Sequence, residues 1–424
     1  MIYLYSFFLY LISPVLPMYL KYRGRKNPDY LLNWHERFGI NLINKSSKPI
    51  IWLHSVSVGE TRAMMELVKL LTKEYINYQL LITTMTPTGR KTAQNLFPNA
   101  IVHYIPYDLA FCVKKFYKNF KPELGVIMET EIWPNLIYYA SKNNIPLYLA
   151  NARLSNRSFN GYNRFRKFLL PVLNRLNGIL CQEDNTYNNF KKLGYTGELI
   201  ITGNTKFDLS LPDNYEKSLK ELRVIFDDRK VICFASTRDG EEEIILNNID
   251  FNLDVLYLII PRHPERFSIL EKLLKQKNIS YIRRSDNNRV NYNTKVIIGD
   301  SMGEMLAYYT ISYIVIMGGS LKGYGGQNPL EAFYMNKPVI FGNSMFNFQK
   351  ISDDSLSDKC AIQIEKVDEL SAVINRLVDN LTIYTEYNNN CDKFIKKYQG
   401  ASQKIFDVIQ ECLNVSYETK VSGK

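Results

Sequence analysis

Short β-branched or apolar runs recur along the first half of the chain: IIWLHSV, YQLLITTM, IVHYIPY, LGVIMET, IPLYLANA, GILCQE and ELIITGN. Each is followed by a polar turn or by a stretch with the amphipathic spacing of a helix. This rhythm predicts repeated βα units with a parallel sheet. A polar stretch containing Pro212, SLPDNYEKS, interrupts the pattern, and a second series follows with KVICFAST, VLYLIIP, TKVIIGD, YIVIMGG and KPVIFG. The expectation is an α/β protein of two doubly wound domains, residues 27–211 and 212–424, facing each other across a cleft.

The N-terminus breaks the rhythm. Residues 1–20 carry no charge, and Lys21, Arg23, Arg25 and Lys26 follow at once. That length just spans a hydrocarbon core of about 30 Å. A cleaved signal peptide has its positive charges before the apolar run, the reverse of what is found. Residues 1–26 are therefore expected to be a membrane anchor with a basic flank held in the cytoplasm. Pro14 and Pro17 weaken a straight span and leave a kinked or interfacial anchor open, and a buried N-terminal helix is the structural alternative.

Composition narrows the partners. Lys and Arg outnumber Asp and Glu by 53 to 42, for a net charge of +11, which suits an anionic partner: nucleic acid, an anionic membrane surface or a phosphorylated substrate. The apolar N-terminus selects the membrane. Arg164, Arg166, Lys167 and Arg175 alternate with Phe165, Phe168 and Leu169 in a second stretch suited to anionic headgroups, and equally to an ordinary solvated helix. Six scattered cysteines, Cys112, Cys181, Cys233, Cys360, Cys391 and Cys412, include no C-x-x-C pair and indicate neither a zinc site nor a disulfide framework.

Two stretches carry candidate chemistry. In HSVSVGET, Ser57 and Glu60 have the spacing of a capping box, which satisfies free amides where a helix begins. Glu60 also stands at the carboxyl end of a predicted strand, where open α/β sheets place their ligand crevices. The two roles are compatible. Later, GGSLKGYGGQNPLEAFYMNKPVIFG supplies Gly318-Gly319 at a strand end, Gly325-Gly326, and then Asn328-Pro329-Leu330-Glu331 opening a helix. Helix-start amides there suit a phosphate, and Glu331 could cap the helix or bind ribose hydroxyls. Neither half supplies G-x-G-x-x-G after its first strand, nor is there a Walker A lysine, so a dinucleotide enzyme is not indicated.

The Gly-Gly, Asn, Pro, Glu order in the second of two βα domains resembles nucleotide-sugar glycosyltransferases of the two-Rossmann-domain GT-B type. The segments HSVSVGE, TTMTPTGR, YIPYD, METEIWPN, ANARLS, GNTKFD, PRHPERF, GDSMGE, GGSL and GGQNPLEA occur in the order and spacing of bacterial 3-deoxy-D-manno-octulosonic acid (Kdo) transferases. The likeness runs from the apolar N-terminus to about residue 345. It implies a GT-B fold with an N-terminal anchor on the cytoplasmic face of the bacterial inner membrane. It also implies transfer of Kdo from CMP-Kdo onto a phosphorylated lipid A precursor in lipopolysaccharide synthesis. Nucleic acid is then no partner, and no cofactor is implied.

By the same resemblance Glu60 matches the general base of an inverting transfer, and burial should raise its pKa toward a useful value. Glu129 and Lys206, each placed by the sequence pattern at a strand end, match positions that stabilise the transition state. Pro261, Arg262, Met302, Gly303, Glu304, Asn328, Pro329, Leu330 and Glu331 match the surroundings of CMP, with Arg262 facing the leaving phosphate and His263 a structural neighbour. Gln327 and Arg238 stand where the family commonly shows His. No D-x-D triad stands at a strand end, so no metal site is expected. The alternatives are a GT-B transferase using another nucleotide sugar and a non-catalytic, membrane-bound lipid-binding protein on the same fold.

Overall fold

The computed structural model describes residues 2–209, 211, 212 and 214–422, those from 415 onward by backbone alone. The chain forms two compact units. One comprises the chain up to Asp208 and again from Tyr398 onward; the other is Leu209–Lys397.

The first unit is built on a seven-stranded parallel sheet: β1 (Ile50–His54), β2 (Gln79–Thr84), β3 (Ile101–Tyr104), β4 (Leu124–Met128), β5 (Leu147–Ala152), β6 (Gly178–Cys181) and β7 (Glu198–Ile201). Their order is β3-β2-β1-β4-β5-β6-β7. The strand β1, IIWLH, is buried throughout, because helices cover both sheet faces and leave no solvated side to mark with polar residues. Alternate residues feed separate cores. Ile50 and Trp52 pack on one face, where the Trp52 ring meets Phe116 at 5.1 Å, and Ile51 and Leu53 pack on the other.

The second unit has its own seven-stranded parallel sheet, ordered β10-β11-β9-β8-β12-β13-β14. Its strands are β8 (Lys230–Thr237), β9 (Val255–Pro261), β10 (Tyr281–Arg283), β11 (Val296–Ile298), β12 (Ile314–Met317), β13 (Val339–Phe341) and β14 (Ala361–Gln363). Twelve of the fourteen strands lie within the apolar runs of the sequence. The exceptions, β10 and β14, are three-residue strands at the two sheet edges, where partial burial leaves no apolar run to read.

One expectation meets a different arrangement. The sequence pattern assigned residues 212–424 to one domain, but the helix Ala401–Ser422 belongs to the first unit. Ile405, Phe406, Ile409 and Leu413 pack with Ile51, Leu53 and Ile82 in the core on that sheet face. At the N-terminus, two helices, Ile2–Ile12 and Val15–Lys26, meet at a bend of 53° beside Pro14. Among the described residues no single helix is long and apolar enough to cross a membrane, although the bent pair together passes on length and composition. The first helix is fastened to its unit by polar contacts: Tyr5 donates to Asp108 Oδ2 at 3.0 Å, and Ser6 donates to Asn135 Oδ1 at 2.8 Å. Leu4, Phe7, Phe8 and Leu11 remain more than half exposed.

Candidate active site

In a doubly wound sheet the ligand crevice opens at the carboxyl ends of the strands on either side of the point where strand order reverses. In the first unit those strands are β1 and β4. Glu60 follows β1 and Glu129 follows β4 directly, so the topology brings together two residues 69 positions apart in sequence.

Glu60 stands in the first turn of the helix Val58–Ala63. Ser57 Oγ accepts from Glu60 N at 3.3 Å and donates to Glu60 Oε1 at 2.8 Å, while Val56 N donates to Glu60 Oε2 at 2.7 Å. Ser57 thus caps the helix as expected, while the Glu60 carboxylate reaches back to Val56 N, one residue before the Ser57 amide of a full capping box, and these bonds fix its direction. Gly59 is exposed, with only Ser57 Oγ near the place of a Cβ. Burial raises the Glu60 pKa above its ordinary 4.5, opposed by the Val56 and Ser57 hydrogen bonds. The Glu129 charge raises it further and the Lys206 charge lowers it.

Glu129 has a left-handed backbone with φ 59°, a conformation costing a residue with a Cβ about 1–3 kcal/mol. Its Oε1 lies 2.8 Å from Lys206 Nζ. Lys206 does not end a strand as the sequence pattern suggested; it stands on the single turn Thr205–Phe207, beyond β7. One acidic group escaped the sequence reading. Glu131 accepts from the Trp133 indole N–H at 2.7 Å, and burial raises its pKa, as do the charges of Glu60 and Glu129. Its place in the quoted METEIWPN motif was the available signal. Three carboxylates and one ammonium therefore share this strand-end region.

In the second unit the order reverses between β8 and β12. Gly318, after β12, has no room for a side chain: a Cβ there would fall 2.5 Å from the Ser236 carbonyl carbon and 2.6 Å from Thr237 N. Arg238, after β8, donates to His263 Nε2 at 3.0 Å and lies 5.2 Å from the Tyr324 ring centroid. His263 is thus a hydrogen-bonded neighbour of Arg238. Gln327 approaches the same corner, its Nε2 lying 3.4 Å from where a Gly319 Cβ would be.

Pro261 ends β9 and is buried, and Arg262 beside it is exposed, its N–H donating to Thr237 O at 3.0 Å. The charges of Arg262 and Glu331 both reach the buried Tyr309, whose pKa burial drives up. Asn328 Oδ1 accepts from Leu330 N at 3.2 Å, Pro329 and Leu330 are buried, and Glu331 lies on the first turn of the five-residue helix Leu330–Tyr334. Met302 is 73% exposed, and Gly303 next to it has a positive φ with open space around it. Glu304 is different in kind. It is buried, takes Arg284 Nε at 3.1 Å and Nη2 at 2.9 Å, and also accepts from Ser301 Oγ, so its carboxylate ties Arg284 to the loop before it. Among the described residues no group of three or more His, Cys, Asp or Glu side chains could hold a metal ion.

A family model for 3-deoxy-D-manno-octulosonic-acid transferases matches residues 32–209. A 3-deoxy-D-manno-octulosonic acid transferase of Haemophilus influenzae is 36% identical over 419 residues, spanning 96% of this chain and 98% of that protein. The chain belongs to the Kdo transferase family. A Rickettsia felis Kdo transferase is 32% identical, covering 87% of this chain and 80% of its own. The fold is shared more widely: a solved glycosyltransferase from Rickettsia africae superposes with a TM-score of 0.53 at 14% identity, over 87% of this chain and 99% of its own.

Proposed function

We propose that this Kdo transferase family member moves Kdo from CMP-Kdo onto a phosphorylated lipid A precursor, with inversion at the anomeric carbon. The observation that carries the reading is the Glu60, Glu129 and Lys206 constellation at the switch point of the first sheet, in a chain matched over nearly its full length by a Kdo transferase.

The acceptor hydroxyl oxygen attacks the anomeric carbon. The bond from that carbon to the CMP phosphate oxygen breaks, CMP leaves with the electron pair, and the hydroxyl proton passes to Glu60. A carboxylate in this role contributes about 10²–10⁴-fold. Glu129 and Lys206 supply fixed charge beside the reacting carbon. Arg262, with Arg238 nearby, meets the phosphate as it gains charge, which stabilises the transition state more than the ground state. Asn328 to Glu331, Pro261, Met302 and Gly303 line the nucleotide, and Glu304 supports its loop through Arg284. No divalent metal is needed; loss of transfer in chelator with recovery in magnesium would overturn that part.

The same reading places the protein on the cytoplasmic face of the inner membrane. The exposed Leu4, Phe7, Phe8 and Leu11, followed by Lys21, Arg23, Arg25 and Lys26, suit an interfacial anchor in an anionic leaflet. The deciding test is mass spectrometry of a lipid A precursor incubated with CMP-Kdo and the protein in detergent. A mass gain of one or more Kdo units supports the assignment. No gain from folded protein that CMP still protects against heat would mean a different acceptor, and protection by UDP in place of CMP a different donor.

A further inference from the structure

The turn that carries Lys206 is held from several sides, one of them the far end of the chain. Asn151, fully buried with a left-handed φ of 52°, accepts from Thr205 N at 3.1 Å, and Asn204 Oδ1 accepts from Lys206 N at 3.0 Å. Beyond the turn, Asp208 Oδ1 accepts from Gly400 N at 2.6 Å, and Oδ2 accepts from Ser402 N at 2.5 Å. The Phe207 ring meets Tyr398 at 5.0 Å. Gly203 enters the turn with φ 96°, and a Cβ there would lie 3.4 Å from Ala401 Cβ.

The need for such anchoring follows from Lys206 itself. Its side chain is 48% exposed, and an exposed lysine–carboxylate pair is too weak to hold its own backbone in place. The backbone has to be fixed by stronger, less solvated bonds. A carboxylate receiving the free amides at a helix N-terminus is such a bond, charge-assisted and favoured by the helix dipole.

We propose that Asp208 is a positioning residue for transfer: by binding the amides that open the helix Ala401–Ser422, it fixes the turn that presents Lys206 to Glu129. The C-terminal segment thereby sets the location of an active-site cation more than 190 residues before it in sequence. This rests on the proposed transfer reaction.

A second consequence separates positioning from mere structural support. The charged groups facing Glu60 include Glu129, Glu131 and Lys206, and of these three Lys206 is the one that lowers its pKa, adding to the Val56 and Ser57 hydrogen bonds. Displacing Lys206 leaves the two carboxylate charges opposed by those hydrogen bonds without a cation, so the acid limb of the rate profile moves to higher pH.

The test compares wild type, Asp208→Asn, Lys206→Ala and the double variant in Kdo transfer across pH. Asp208→Asn is expected to lower kcat roughly 10- to 10²-fold, with KM for both substrates unchanged. Its acid limb should shift upward, and it should cause no further loss on top of Lys206→Ala. Wild-type kcat and pH profile in Asp208→Asn, or losses that multiply in the double variant, would overturn the inference. If Asp208→Asn fails to fold, Phe207→Leu loosens the same turn through Tyr398 and must give the same pattern for the inference to stand. An inactive wild type would instead count against the transfer reaction itself.

Discussion

Glu60 carries two functions on one carboxylate. Its cap bonds fix where the oxygens point, and burial sets how strongly they hold a proton. Glu60→Gln keeps the shape and removes the base, so kcat should fall about 10²–10⁴-fold while the unfolding temperature changes little; transfer near the wild-type rate would exclude Glu60 as the base. The pH dependence has a definite sign. The base works deprotonated and its pKa is raised, so activity should be lost as pH falls through a value above the ordinary 4.5. Glu131→Gln removes a like charge and should move that limb downward, as read from kcat against pH. The Ser57–Glu60 pairing was legible because its partners lie three residues apart. The coupling of Glu131 to Glu60 was not, because it depends on β1 and β4 being neighbours, and Asp208 finds its amides 192 residues away.

At the scale of elements, Asp108 joins two helices and β3's following loop. It accepts from Tyr5, from Asn135 N at 2.9 Å and from Leu136 N at 2.8 Å, and so caps the helix Pro134–Lys142, which has no cap of its own at Trp133. Asp108→Ala leaves these donors without an acceptor, at about 1–3 kcal/mol for each that water cannot reach. Chemical denaturation should show a loss of several such units, and an unchanged midpoint would mean the contacts contribute nothing. Burial also pushes the Asp108 pKa from 3.8 to about 7. The folded state then holds this proton more tightly than the unfolded chain, so its stabilising contribution is full below about pH 4 and lost as pH rises through 7. The C-terminal helix offers a second check. Ile409 is fully buried, and Ile409→Ala should cost about 2–5 kcal/mol. The sequence could not show which sheet this helix covers, since periodicity encodes a face and not its partner.

For the whole molecule, net positive charge and an outward apolar N-terminal face should act together. Binding to anionic vesicles should weaken as salt rises and fall sharply when Leu4, Phe7, Phe8 and Leu11 are changed to Ser, as measured by co-sedimentation; equal binding by that variant would remove the N-terminal helix from the interface. The two-sheet plan was legible at this scale because buried parallel strands announce themselves as apolar runs, whereas the return of the chain to its first unit leaves no such mark.

That return bears on how the protein is made. As the chain leaves the ribosome, the first seven strands emerge early, yet the part of this sheet-face core that Ile405, Phe406, Ile409 and Leu413 complete, beside Leu67, Val68 and Leu71, stays open until all of Leu209–Lys397 has been synthesised. A domain normally folds as a unit while the rest is still being translated. Here the second unit emerges whole before the first can close. The nascent first unit therefore passes through a long interval with part of its apolar core uncovered, and a chain cut before Ala401 would carry a complete second unit joined to a first unit short of one core helix.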